Sequence, residues 1–311
     1  GCLLTGCARK ITERSLPFCD IVPKKDRHTL TTGSSQSDSL QILYLGCGHL
    51  VMQYKEEVVV VDPYFSIQPF SPGKKIKSHD KDYQQWKQAI QRHQVDLSKT
   101  TSIWLAHAHY DHTMDLPMMI ENKHFTDSVK VFGSEDGPRT FTNFPKIKSH
   151  YNTLSKSQVY IPDSPTVPNL IKTGKHIEVL PIQSDHAPHA KFLGITFHLM
   201  KGNVREKYFQ KHYDSSTDRT KKKQWREGAT YSFLIDFKTG DHIDYRVIVQ
   251  TSGSHFPKGK PPEALLKQKP VDVALLCLAS SNYAKPYPVT NLCDSPISGR
   301  FTNALSEQTS H

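Results

Sequence analysis

The sequence predicts an α/β fold of the α+β kind, two β-sheets packed face to face with helices outside. Three observations predict it. Short strand-type runs recur along most of the chain, and a clear amphipathic helix interrupts them. The 311 residues, 36% hydrophobic and 23% charged, are enough to bury a large core.

Residues 1–39 comprise a short start, GCLLTGC, and a polar stretch from residue 8 that carries Lys24, Lys25 and Arg27 and ends in TTGSSQSDS, the composition of a flexible tether. Folding is expected to begin near Leu40. QILYLGCGHLVMQYKEEVVVVDPYFS then holds three β-type runs, at about 41–45, 49–54 and 57–61, in a meander that ends at Asp62-Pro63. DKDYQQWKQAIQRH sets Tyr83, Trp86 and Ile90 on one face of a helix. The apolar strand SIWLA runs into the histidine-rich loop HAHYDH. A helix over 116–122 follows, with strands at 129–132 and 177–182. ITFHLM (195–200), ATYSFLIDF (229–237), YRVIVQ (245–250) and VDVALLCLA (271–279) supply further strands, and FPKGKPPE (256–263) is a turn. One domain is expected over 40–290, followed by an atypical tail at 291–311.

Net charge is +10 and the pI about 9.2, which favours acidic partners. The lysine tracts at 74–77 and 221–223 lack interleaved aromatics, so they read as solvated loops, and nucleic acid is not an expected partner. The six cysteines form no CxxC pair, which argues against a thiolate zinc knuckle. No apolar run is long enough to form a spanning helix. The opening GCLLTGC, with small residues before Cys7, resembles the lipobox of bacterial lipoproteins. On that reading Cys2 or Cys7 is lipidated, and the protein is exported and held on the periplasmic side of a membrane. Without it, a cytoplasmic location is the default.

The chemistry concentrates in His107-Ala108-His109-Tyr110-Asp111-His112. Alternation along an extended backbone puts His107 and His109 on one side at a strand end, where they can chelate one ion. Asp111 and His112 follow where the chain must turn and could face a second ion. Imidazole and carboxylate are ligands that zinc accepts. Four potential ligands in six residues are hard to credit to packing, even among 17 histidines. No GxSxG elbow, P-loop or GxGxxG after a strand competes with this motif.

HAHYDH resembles the HxHxDH signature of the metallo-β-lactamase superfamily. The meander with Asp62, the strand ending in Ser184-Asp185-His186 and the later ATYSFLIDF strand resemble its branch of ascorbate-phosphate lactonases and N-acylphosphatidylethanolamine-hydrolysing phospholipases D. The resemblance implies a four-layer αββα sandwich, incomplete at the C-terminus, with a metal site at the edge between two sheets. It implies His107, His109 and His186 as ligands of a first zinc, and Asp111 and His112 as ligands of a weaker second one. Asp62 would support the motif loop, with His49 and Asp185 as further outer partners. His189 is a candidate for substrate contact, with a plain surface-loop histidine as the alternative.

Two departures bear on the second ion. Thr251 and Ser252 stand where the family places a bridging aspartate, and His255 lies close by. The tail VTNLCDSPISGRFTNALSEQTSH carries no strand followed by a ligand histidine, as a truncation or frameshift would leave it. The expected activity is hydrolysis of an ester-like bond in a small-molecule or lipid substrate, phosphodiester, phospholipid or lactone. Water activated by zinc would attack, with Asp111 orienting it. The alternative is a degenerate member of the fold that binds metal or ligand without turnover.

Overall fold

Alternation and β-branched content give the first sheet its strands. β1 (Leu40–Gly46), β2 (His49–Tyr54) and β3 (Glu57–Val61) form the antiparallel meander, with Val51 opposite Val60. In this computed structural model the described residues are 39–66, 75–186, 191–192, 195–196, 200–212, 220–252 and 257–276. The lipobox-like start, His189, His255 and the tail lie outside them.

EVVVV in β3 reads as a continuous apolar run because both faces are covered. The short β4 (Lys75–Ile76) and helix α1 (Asp80–Arg92) carry the chain over to β5 (Thr100–Trp104), which lies parallel to β3. α1 opens with Asp80 and Asp82 and closes with Arg92, matching the helix dipole at both ends. Its buried face, Tyr83, Trp86, Ala89 and Ile90, packs on Val51, Val58, Val60 and Ile103 of the sheet. After the short α2 (Tyr110–Thr113) and α3 (Leu116–Glu121) come β6 (Lys130–Gly133), α4 (Asp136–Thr140), α5 (Pro145–His150) and β7 (Tyr151–Thr153). The six-stranded order is β1-β2-β3-β5-β6-β7.

The second sheet uses β8 (Ile171–Lys172), β9 (Ile177–Ser184), β13 (Thr230–Thr239), β14 (His242–Gln250) and β15 (Val273–Leu276), in the order β15-β14-β13-β9-β8. α7 (Glu263–Gln268) makes the crossover between β14 and the parallel β15. Between the sheets lie Leu50, Met52, Trp104, Val179, Phe233, Ile235 and Val247, an apolar layer no water-exposed sheet would carry. Leu180, Ile182, Leu234 and Ile248 face the other way, toward Leu265 of α7. The layers are therefore helix, sheet, sheet, helix.

One strand expectation is only partly met. Of ITFHLM, Ile195–Thr196 is strand (β11), but it pairs with β10 (Lys191–Phe192) as a separate ribbon outside both main sheets. Apolar content cannot distinguish a ribbon from a core strand. β12 (Thr220–Lys221) likewise pairs only with β4, and α6 (Glu206–His212) buries Phe209 against Trp225. Among the described residues no helix is long and apolar enough to cross a membrane.

Candidate metal centre

The parallel register of β3 and β5 aims the motif. Val61 sits beside Trp104, so the two strands end together under the second sheet. Asp62 N–H donates to the Trp104 carbonyl (2.9 Å), and Ala106 N–H donates back to Asp62 Oδ1 (2.7 Å). Tyr231 N–H of β13 donates to the Ala106 carbonyl (2.8 Å), fixing the segment from both sheets. Asp62 itself takes a left-handed φ of 45°, rare outside glycine, which turns its carboxylate under the loop.

From this support His107 and His109 project together. Their ring centroids are 4.7 Å apart, and His107 Nε2 faces His109 Nδ1 at 3.1 Å. His186, two residues past β9, brings the third ring to 4.9 Å from His107 and 4.6 Å from His109. One nitrogen from each of the three lies within 4.8 Å of the others, a trio that could hold a metal ion. A tetrahedral zinc with nitrogens at 2.0–2.1 Å spaces them about 3.4 Å apart, so the first pair is already close to ligand spacing.

Hydrogen bonding selects the nitrogen that each ring offers. His109 Nε2 lies 3.2 Å from the Met200 carbonyl, an acceptor only, so Nε2 carries the proton and Nδ1 keeps its lone pair. His112 Nδ1 donates to Asp62 Oδ2 at 2.7 Å by the same logic. Burial holds the His107 pKa well below the usual imidazole range, with the neighbouring His112, His109 and His186 pushing the same way. Burial and then His186 lower His109 to about 3. Both rings are therefore neutral at pH 7, the form that binds a metal.

Among the buried atoms at the centre without a hydrogen-bond partner among the described residues are His107 Nδ1 and Asp111 Oδ1. For Asp111, burial opposes the ionised form, but His112, His109 and His186 outweigh it and bring the pKa below the usual carboxylate range. A buried carboxylate oxygen without a hydrogen-bond partner, set beside converging imidazole nitrogens, is what a cation would satisfy, so the donor set fits zinc.

The other predicted residues are placed as follows. His112 lies tilted against His107, with centroids 3.9 Å apart and the planes at 48°, but stands outside the converging trio. Asp185 is exposed. His49 is turned away: Trp86 Nε1 donates to its Nε2 (3.0 Å) and its Nδ1 faces the Val61 carbonyl (3.3 Å). Thr251 and Ser252 are buried at the end of β14 and offer no carboxylate. A Cβ on Gly48 would come within 2.8 Å of Thr251 Cβ and 3.0 Å of Asp62 Oδ2, so only glycine fits beneath the Asp62 carboxylate.

Sequence reasoning missed Glu227 and Met200. Glu227 Oε2 lies 3.9 Å from His186 Nδ1. Burial raises the Glu227 pKa, partly offset by the Gly202 N–H and Lys201. No periodicity marks either residue, and the only available signal was a lone acid in the basic stretch KKKQWREG.

No protein-family model matches the sequence. No curated protein matches it either. Among solved structures the chain is similar to BJP-1, a subclass B3 metallo-β-lactamase of Bradyrhizobium japonicum. The identity is 12%, covering 89% of this chain and 94% of that one, with a TM-score of 0.38. Human tRNase Z, short form, gives 13% identity over 76% and 70% of the two chains, with a TM-score of 0.36. The di-zinc class B3 enzyme LRA-12 from an Alaskan soil metagenome gives 14% identity over 69% and 60%, with a TM-score of 0.32. This chain spans less than two thirds of the length of several matched chains, LRA-12 among them. Such identities assign it neither substrate nor activity.

Proposed function

We propose that this protein is a metal-dependent hydrolase of ester-like bonds, with His107, His109 and His186 holding zinc. The single observation behind this reading is the convergence of three imidazoles from two separate sheets to within 4.8 Å, in a fold that otherwise buries apolar side chains between those sheets. When bound, zinc supplies Lewis acidity and lowers the pKa of water toward about 7.

The chain's own residues do the rest. His109 and His112 are oriented by the Met200 carbonyl and by Asp62, so neither ring must reorganise to bind. Asp111 holds the attacking water and accepts its proton at Oδ1, the atom with no protein partner among the described residues. The His186 side chain is 22% exposed, which makes its side of the centre the route for substrate. A net charge of +10 supports phosphodiesters or phospholipids over β-lactams, with lactones as the uncharged case. If the lipobox reading holds, the enzyme meets such substrates at a membrane surface.

Metal analysis of the purified protein, combined with hydrolysis of bis(p-nitrophenyl) phosphate and of lactones, tests the reading. Bound zinc and chelator-sensitive turnover that His109→Ala removes are expected. Zinc without metal-dependent turnover on any ester class makes the protein a binder only, and no bound metal overturns the centre itself.

A further inference from the structure

We propose that Glu227 is the positioning carboxylate of the histidine trio, acting on His186 through its side chain and on His109 through its backbone. This rests on the metal-centre reading above.

Glu227 meets the trio in three places. Its carboxylate oxygen Oε2 lies 3.9 Å from His186 Nδ1, just beyond direct hydrogen-bond length. Its N–H donates (3.0 Å) to the Met200 carbonyl, the group that His109 Nε2 also approaches at 3.2 Å. Its carbonyl accepts from Ala108 N–H (2.9 Å), the residue between His107 and His109. Gly228 N–H, bonded to the Gly202 carbonyl (3.1 Å), continues the ladder, so residues 226–228 and 200–202 form one strip behind two of the rings. Because Glu227 leads directly into β13, which pairs with β9 from Thr230↔Ser184 onward, the same sheet delivers the carboxylate and His186 side by side.

A carboxylate facing the outer nitrogen of a ligand histidine fixes its tautomer and raises its basicity, and losing it typically costs about 10–100-fold in metal affinity. Asp185 is the rival acid by sequence, but it is exposed, whereas the Glu227 carboxyl is 12% exposed and faces the ring. The carboxylate also supplies negative charge beside a site meant for a cation.

The experiment is zinc competition against a chromophoric chelator, with cobalt substitution as a second readout, on the full chain and on Glu227→Gln, Glu227→Asp and Asp185→Asn. Glu227→Gln keeps the backbone contacts and the side-chain volume. It is expected to bind zinc 10–100-fold more weakly and to shift the cobalt d–d bands, with an unchanged melting temperature of the metal-free protein. Glu227→Asp, which keeps the charge, should recover part of that loss. Wild-type affinity and spectrum in Glu227→Gln overturn the proposal, as does a larger loss in Asp185→Asn. If Glu227→Gln does not fold, equal zinc affinity of Glu227→Asp and a folded Glu227→Ala overturns it instead. A wild-type chain that binds no zinc removes the metal centre and this role with it, so the two failures are distinct.

Discussion

Two buried polar clusters lie on either side of the second sheet, and they are finished differently. On its outer face Arg246, fully buried, donates through Nε and Nη2 to the two oxygens of Asp236, each at 2.6 Å. Its Nη1 donates to the carbonyls of Leu265 and Lys269 at the end of α7, and Asp272 accepts its backbone N–H at 2.7 Å. Every guanidinium nitrogen is spent inside the protein. On the inner face the histidine centre leaves His107 Nδ1 and Asp111 Oδ1 without hydrogen-bond partners among the described residues. A closed network ties a helix to a sheet and has nothing left to offer, whereas an open one keeps capacity for something the chain does not itself contain.

The contrast breaks if the two clusters respond alike to substitution. Arg246→Ala leaves Asp236 as an uncompensated buried charge and should destabilise the fold by about 3–5 kcal/mol in urea unfolding, with zinc affinity at the wild-type level. His109→Ala should do the reverse, losing zinc affinity by about 100-fold or more in chelator competition while costing less metal-free stability than Arg246→Ala. Asp62→Asn sits between them, because Asp62 supports the backbone at Ala106 and also holds His112. It should lower zinc affinity by about 10–100-fold and cost about 1–3 kcal/mol of stability, both read on one preparation.

The smallest effect concerns pH and sharpens the comparison away from the metal. Burial lowers His49 to about 4 from an ordinary 6.5. The unfolded chain therefore binds a proton between pH 6.5 and 4 that the folded chain refuses, so stability falls as pH drops through that window. The His49 contribution reaches about 1 kcal/mol by pH 6, and His49→Gln should flatten that part of the unfolding profile. An unchanged profile would mean that the ring is not held neutral in the fold.

The meander, α1 and the strands β9, β13, β14 and β15 of the second sheet were legible because apolar period and β-branched content are local properties; the two-residue β8 was not. The histidine loop was legible because two histidines sit two residues apart at a strand end. His186 could be named from its strand, but its arrival beside His107 depends on how two sheets face each other, which no local pattern encodes. Glu227 and Met200 were illegible for a different reason. One acts partly, and the other wholly as described here, through main-chain atoms that every residue possesses. The separate β10-β11 ribbon escaped because a two-residue strand carries too little periodicity to locate its partner.

His107 and His109 hang from the end of β5 in one sheet, and His186 hangs from β9 in the other. At the opposite end the protein ties itself shut: Glu57 accepts from the N–H groups of Lys175 and His176, and the Tyr54 hydroxyl donates to Asp244 at 2.7 Å. The sandwich is thus a pair of jaws riveted at the back, and on the proposed metal-centre reading the histidine trio is the clasp at the front. Stripping the ion should speed amide exchange around residues 105–109 and 184–186 while Lys175 and His176 stay protected, an asymmetry that a uniformly loosened domain would not show.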